Sequence, residues 1–106
     1  MPYKLFIYCP DDDAVIDRVI DAAANAGAGI IGNYTHCAFI VRGQGHWKAG
    51  DSTHPAVGAP GQMTRAPEAK IEMRCNEENL KATIAAIRSV HPYEEPAIEY
   101  LRLEGA

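Results

Sequence analysis

The sequence predicts an α+β sandwich in which a four-stranded antiparallel sheet carries two helices on one face. Three observations predict it. The pattern runs strand, helix, strand, a long interruption, then strand, helix, strand; two such halves interleave into a single sheet. One strand alternates cleanly between apolar and charged residues, the mark of a half-buried sheet with one wet face. Each helical stretch carries one apolar stripe, so each has one face to bury.

Residues 3–9 (YKLFIYC) are rich in aromatic and branched side chains and read as a buried strand ended by Pro10. Asp11, Asp12 and Asp13 supply cap and first-turn carboxylates for a helix. Val15, Ile16, Val19, Ile20 and Ala23 fall on its apolar face, with Asp17, Arg18 and Asp21 opposite. Gly27 is its natural C-cap. After a glycine-dotted turn, residues 37–41 read as the second strand.

From 42 to 67 the pattern dissolves into a stretch with five glycines, three prolines and the lone Trp47. It is expected to be a long loop, functional or mobile, with room for a short hairpin around Gly43-Gln44-Gly45. Residues 68–75 then alternate, with Ala69, Ile71, Met73 and Cys75 on one face and Glu68, Lys70, Glu72 and Arg74 on the other. Asn76 is placed to cap the second helix, whose stripe is Leu80, Ile84, Ile87 and Val90. His91-Pro92 stops it, and residues 97–103 form the last strand. The result is a ferredoxin-like β-α-β-β-α-β order in a single domain, residues 1–106.

Composition narrows the function classes. The chain is 47% hydrophobic and 23% charged, ordinary for a globule. A net charge of −4 with scattered Lys and Arg argues against nucleic-acid binding. No apolar run approaches the roughly 20 residues that span a bilayer. The opening residues pass directly into a strand pattern, so cytoplasmic residence is the default expectation. Cys9, Cys37 and Cys75 make an odd count with no CxxC spacing, which favours reduced thiols over a disulfide scaffold.

The densest chemistry lies in His91-Pro92-Tyr93-Glu94-Glu95-Pro96, where two prolines stiffen a turn carrying an imidazole, a phenol and two carboxylates. Such a turn suits a ligand site, an oligomer contact or a plain connector. His91 with Glu94 or Glu95 could hold a cation; alternatively His91 caps the helix C-terminus, where the dipole welcomes positive charge. His36-Cys37 offers soft ligands for zinc or copper. Neighbours on a strand point to opposite faces, however, so both would not reach one ion. Trp47 either anchors the loop on the sheet or lies over a neighbouring subunit. Cys9 and Cys75 read as inert core thiols. Gly43-Gln44-Gly45 lacks the following GK[ST] of a phosphate loop, and no nucleophile constellation is justified by spacing.

Three separated segments carry a family resemblance. The run from Gly29 through Gly32-Asn33-Tyr34-Thr35-His36-Cys37 to Phe39, then Gly43-Gln44-Gly45-His46-Trp47, then His91 to Ala97, resembles the NIF-three-like family, also called the YqfO family. The resemblance covers nearly all of this chain and implies a stand-alone version of the domain that long members carry inserted in a metal-binding body. The metal motifs of that body have no counterpart here. The inserted domain is similar to PII signalling proteins and to CutA, so the resemblance implies a PII/CutA-like fold and assembly as a trimer. A shared cleft for His36 and His91 is likewise implied by the family fold, not by spacing.

The leading expectation is a small oligomeric binding or sensor module, taking a divalent metal ion or a small metabolite at a subunit cleft. The ligand or interface residues are His36, Trp47, Tyr93, Glu94 and Glu95, and the metal ligands His91, His36 and Glu95. No catalytic residue is assigned, and a non-enzymatic role leads. One alternative is an interaction module that works only with a protein partner; the other is a metal-dependent hydrolase.

Overall fold

The computed structural model describes residues 1–105. The elements are β1 (Pro2–Pro10), α1 (Asp13–Asn25), β2 (Phe39–Lys48), β3 (Met63–Asn76), a 3-10 turn (Glu77–Asn79), α2 (Leu80–Val90) and β4 (Ile98–Arg102). The sheet has the order β2-β3-β1-β4 with every pairing antiparallel. The expected ferredoxin-like sandwich is what the chain forms.

Strand alternation builds the core. Leu5, Ile7 and Cys9 of β1 stand opposite Met73, Ile71 and Ala69 of β3, and all six are buried. The helices cover this face with Ile16, Val19 and Ala23 from α1 and Ile87 from α2. The intervening residues Phe6, Tyr8, Glu68, Lys70 and Glu72 point to the other face, which no helix covers. Among the described residues no helix is long and apolar enough to cross a membrane.

The helix ends follow the sequence signals in part. Asp12 is the α1 N-cap, its Oδ1 accepting the N–H groups of Ala14 (2.9 Å) and Val15 (3.2 Å). At the other end Ala28 N–H bonds the Ala23 carbonyl and Gly27 N–H the Ala24 carbonyl. This paired closure needs the left-handed conformation that Gly27 adopts, at φ 114°. Asn76 does not cap a helix: its side chain makes no cap bond, and the 3-10 turn separates it from α2.

Nearly half of the expected loop over 42–67 is sheet. Residues 42–48 continue β2 and residues 63–67 begin β3, so the two strands form a long hairpin with a connection of residues 49–62. Glycine and proline content suggested otherwise, but neither interrupts pairing here. Gly43 stands opposite Glu68 and Gly45 opposite Ala66. Pro67 carbonyl accepts from Asp11 N–H at 3.2 Å. In a strand, N–H and C=O of one residue point the same way, so the N–H that Pro67 lacks faces the side where β1 has already ended. Arg42 ties this hairpin to the β1–α1 turn through ion pairs with Asp11 and with Asp13 (3.1 Å).

Candidate functional site

The uncovered sheet face turns into a cavity where the hairpin meets the 91–97 segment. Alternation puts Tyr8, Glu68 and Glu99 on this face. Across β2, the same alternation brings Gly43, Gly45 and Trp47 to it. Gly45 makes the arrangement possible: a Cβ there would stand 2.6 Å from Glu68 Oε1 and 3.0 Å from Trp47 Cζ3. The carboxylate and the indole occupy the space that a side chain would fill.

The turn supplies the opposite wall. His91 ends α2 in an extended conformation, and the chain then passes to the edge of β1, where Tyr8 N–H bonds the Ala97 carbonyl at 3.2 Å. Tyr93 hydroxyl donates to Glu68 Oε2 at 2.7 Å. Its ring lies 6.1 Å from that of Trp47 and 5.0 Å from the imidazole of His91. The 49–62 connection folds back as a third wall: His54 N–H donates to Glu94 Oε1 at 3.1 Å.

These walls border a half-open cavity of about 520 Å³, in the size range of small-molecule sites. Tyr8, Trp47, Tyr93, Pro55, Ala56 and Val57 give it an apolar lining. Glu68, Glu94, Glu95 and Glu99 add carboxylates and His46 an imidazole, and among the described residues no Lys or Arg lines it. Burial, and then the Glu68 carboxylate, push the Tyr93 phenol well above its ordinary range, so it serves as a fixed hydrogen-bond donor at any physiological pH.

His91 braces the wall from behind. Tyr93 N–H donates to its Nδ1 at 3.1 Å, so Nε2 carries the proton and donates to the Tyr8 carbonyl at 2.8 Å. Burial lowers its pKa, with the Tyr8 bond and Glu68 acting in the opposite direction. The imidazole is therefore neutral and turned into the fold, which replaces both roles read from the sequence. It is no charged cap on the helix dipole, and neither nitrogen keeps a lone pair for a metal.

His36 lies elsewhere. It precedes β2, at φ 58°, with its Nε2 3.6 Å from Asp21 of α1 and its Nδ1 3.0 Å from Thr35 Oγ1. It does not line the cavity with Glu95, so the metal set His36, His91 and Glu95 is not assembled within one copy of the chain. Among the described residues no three His, Cys, Asp or Glu side chains converge to hold a metal ion. Trp47, Tyr93, Glu94 and Glu95 do come together. Tyr8, Glu68 and Glu99 were missed. The alternating pattern placed Glu68 on the wet face, but only the strand register shows that this face is roofed at its end.

No family model matches the chain. It is 39% identical over 97 residues to a protein of Halalkalibacterium halodurans named GTP cyclohydrolase 1 type 2 homolog, covering 92% of this chain and 26% of that protein. A Mycobacterium tuberculosis protein of the same name is 38% identical over 100 residues, covering 94% and 26%. The crystal structure of a Bacillus cereus protein related to NIF3 superposes with a TM-score of 0.79 at 31% identity, over 98% of this chain and 26% of that one. The chain thus spans about a quarter of the length of these relatives, and the resemblance to the NIF-three-like family is a homology to one segment of them. CutA1 from a psychrotrophic Shewanella matches with a TM-score of 0.73 at 18% identity, over 99% and 83% of the two chains, which shows a shared fold.

Proposed function

We propose that this chain is a homo-oligomeric binding module whose small-molecule ligand occupies the cavity between the Trp47 strand and the Tyr93 turn. The observation that carries this reading is the cavity itself, an apolar space of about 520 Å³ whose polar groups are fixed in place by the Tyr93–Glu68 and His54–Glu94 bonds. Such a combination of apolar walls and few oriented polar groups is the usual make-up of a ligand site.

Self-association is supported by the surface. The edge strands β2 and β4 expose Phe39 (65%), Val41 (41%) and Leu101 (62%), all on the face that no helix covers. These apolar groups sit at the two opposite edges of the sheet, and open edges invite pairing with another chain. The resemblance to CutA favours a trimer. A divalent metal would then need donors from a second copy, since one copy does not assemble them.

The activity in the names of the relatives concerns proteins about four times as long. A metal-dependent hydrolase is accordingly the weaker reading for this segment. A protein-interaction role draws on the fact that the relatives carry this fold within a longer chain.

The test follows the indole N–H of Trp47, the only tryptophan, by nuclear magnetic resonance during titration with a small-molecule library of mixed charge. A binding module shows saturable shifts at Trp47 and in the 93–95 segment for at least one compound class. Shifts that never involve Trp47 remove the cavity as the site.

A further inference from the structure

We propose that the cavity selects an organic cation, an alkylated ammonium group on a small apolar body. This rests on the reading of the cavity as a ligand site and adds the chemical class of the ligand.

Three rings face the space, Tyr8, Trp47 and Tyr93. Aromatic faces attract a cation through their quadrupole, and grouped rings are a recognised device for binding alkylammonium groups. The chain's own cations leave these rings free. Among the described residues the cation–ring contacts are Lys70 over Phe6 at 5.6 Å and Arg102 over Tyr3 at 5.9 Å, both outside the cavity.

The charge around the rings has one sign. Glu68 and Glu94 are each held by one neutral donor, Tyr93 hydroxyl and His54 N–H. Among the described residues no hydrogen bond or ion pair engages the carboxylates of Glu95 or Glu99. The ion pairs of the described residues lie at Asp21, Asp11, Asp13, Glu72 and Glu77, none of which lines the cavity. An anion would meet repulsion from the cavity carboxylates, softened by water at the exposed ones. A neutral ligand would gain nothing from the carboxylates, of which Glu94, Glu95 and Glu99 are exposed to water. A cation of low hydration satisfies both the rings and the charge, and an apolar body fits against Pro55, Ala56 and Val57.

The experiment uses three probes of one shape: choline, its neutral carbon isostere dimethylbutanol, and the dimethylbutyrate anion. Because Trp47 is the only tryptophan, its fluorescence reads the cavity directly. Choline is expected to give a saturable change with an affinity at least about tenfold above that of dimethylbutanol, equivalent to ~1.4 kcal/mol. Dimethylbutyrate is expected to give none. In Glu95→Gln with Glu99→Gln, checked for native mass and unfolding midpoint, the choline preference should shrink several-fold. Equal affinity for choline and dimethylbutanol, tighter binding of the anion, no response to choline, or an unchanged preference in the double variant would each overturn the inference. The binding-module reading stands or falls separately, on whether any class in the mixed library moves the Trp47 indole signal.

Discussion

Replacing Tyr93 by Phe removes one oxygen and leaves the ring, and therefore isolates the bond that joins the turn to the sheet. Tyr93 hydroxyl donates to Glu68 Oε2 at 2.7 Å, a short bond to a charged acceptor. Bonds of that type contribute about 1.5–3 kcal/mol when both partners are dry. Glu68 is only half-buried, so water would re-solvate part of the freed carboxylate. The expected loss is about 1–2 kcal/mol. For a domain of this size that lowers the unfolding midpoint by roughly 5–10 °C. The assay is urea unfolding at fixed protomer concentration for wild type, Tyr93→Phe, Glu68→Ala and the double variant. A double-mutant cycle should return a coupling of about 1 kcal/mol, because each single change removes the same bond. Stability within ~0.3 kcal/mol of wild type together with zero coupling would refute the reasoning, since the noise of such cycles is of that order.

Other outcomes follow from the same geometry. His91 has a lowered folded pKa, so the unfolded chain takes the proton more readily; its contribution is complete above the unfolded pKa near ~6.5 and is lost as pH falls below it. Unfolding free energies measured from pH 7.5 down to pH 5 should therefore fall more steeply in wild type than in His91→Gln, and parallel slopes would count against the neutral, doubly bonded imidazole. Cys9 is buried, and burial with Glu68, Asp11 and Asp12 pushes its thiol up to about 11. In the native protein at pH 8 it should resist alkylation while the partly exposed Cys37 reacts, as peptide mapping of labelled protein can show. Ile87 is fully buried between α2 and the sheet, and Ile87→Ala should lower stability by about 2–5 kcal/mol. A loss below ~0.5 kcal/mol in urea unfolding would place the apolar stripe of α2 wrongly.

Periodicity carried most of the architecture. The alternation of residues 68–75 and the stripes through Val19 and Ile87 reappear as buried positions. The hairpin was not legible, because Gly43, Gly45 and Pro67 are loop signals unless the partner strand is known. Gly45 is small because Glu68 and Trp47 lie against it, and Pro67 is tolerated because its missing donor faces the end of β1. Those are facts of register, on which a single sequence carries no direct mark. The same holds for the site. Tyr93, Glu94, Glu95 and Trp47 stood out locally and do share the cavity. Glu68 did not stand out, because its importance comes from a residue 25 positions away. His36 and His91 stood out by chemistry alone, and the fold sends one toward α1 and turns the other into the protein.

Native mass spectrometry of the protein with saturating choline, preserving weak complexes, tests the central claim most directly, because one spectrum reports subunit number and bound mass together. An oligomeric binding module predicts a single closed homo-oligomer, a trimer by the resemblance to CutA, carrying one choline per subunit, and one fewer per Trp47→Ala subunit in mixed assemblies. A monomer at high micromolar concentration, or an assembly whose mass is unchanged by choline and by every library compound, would contradict it.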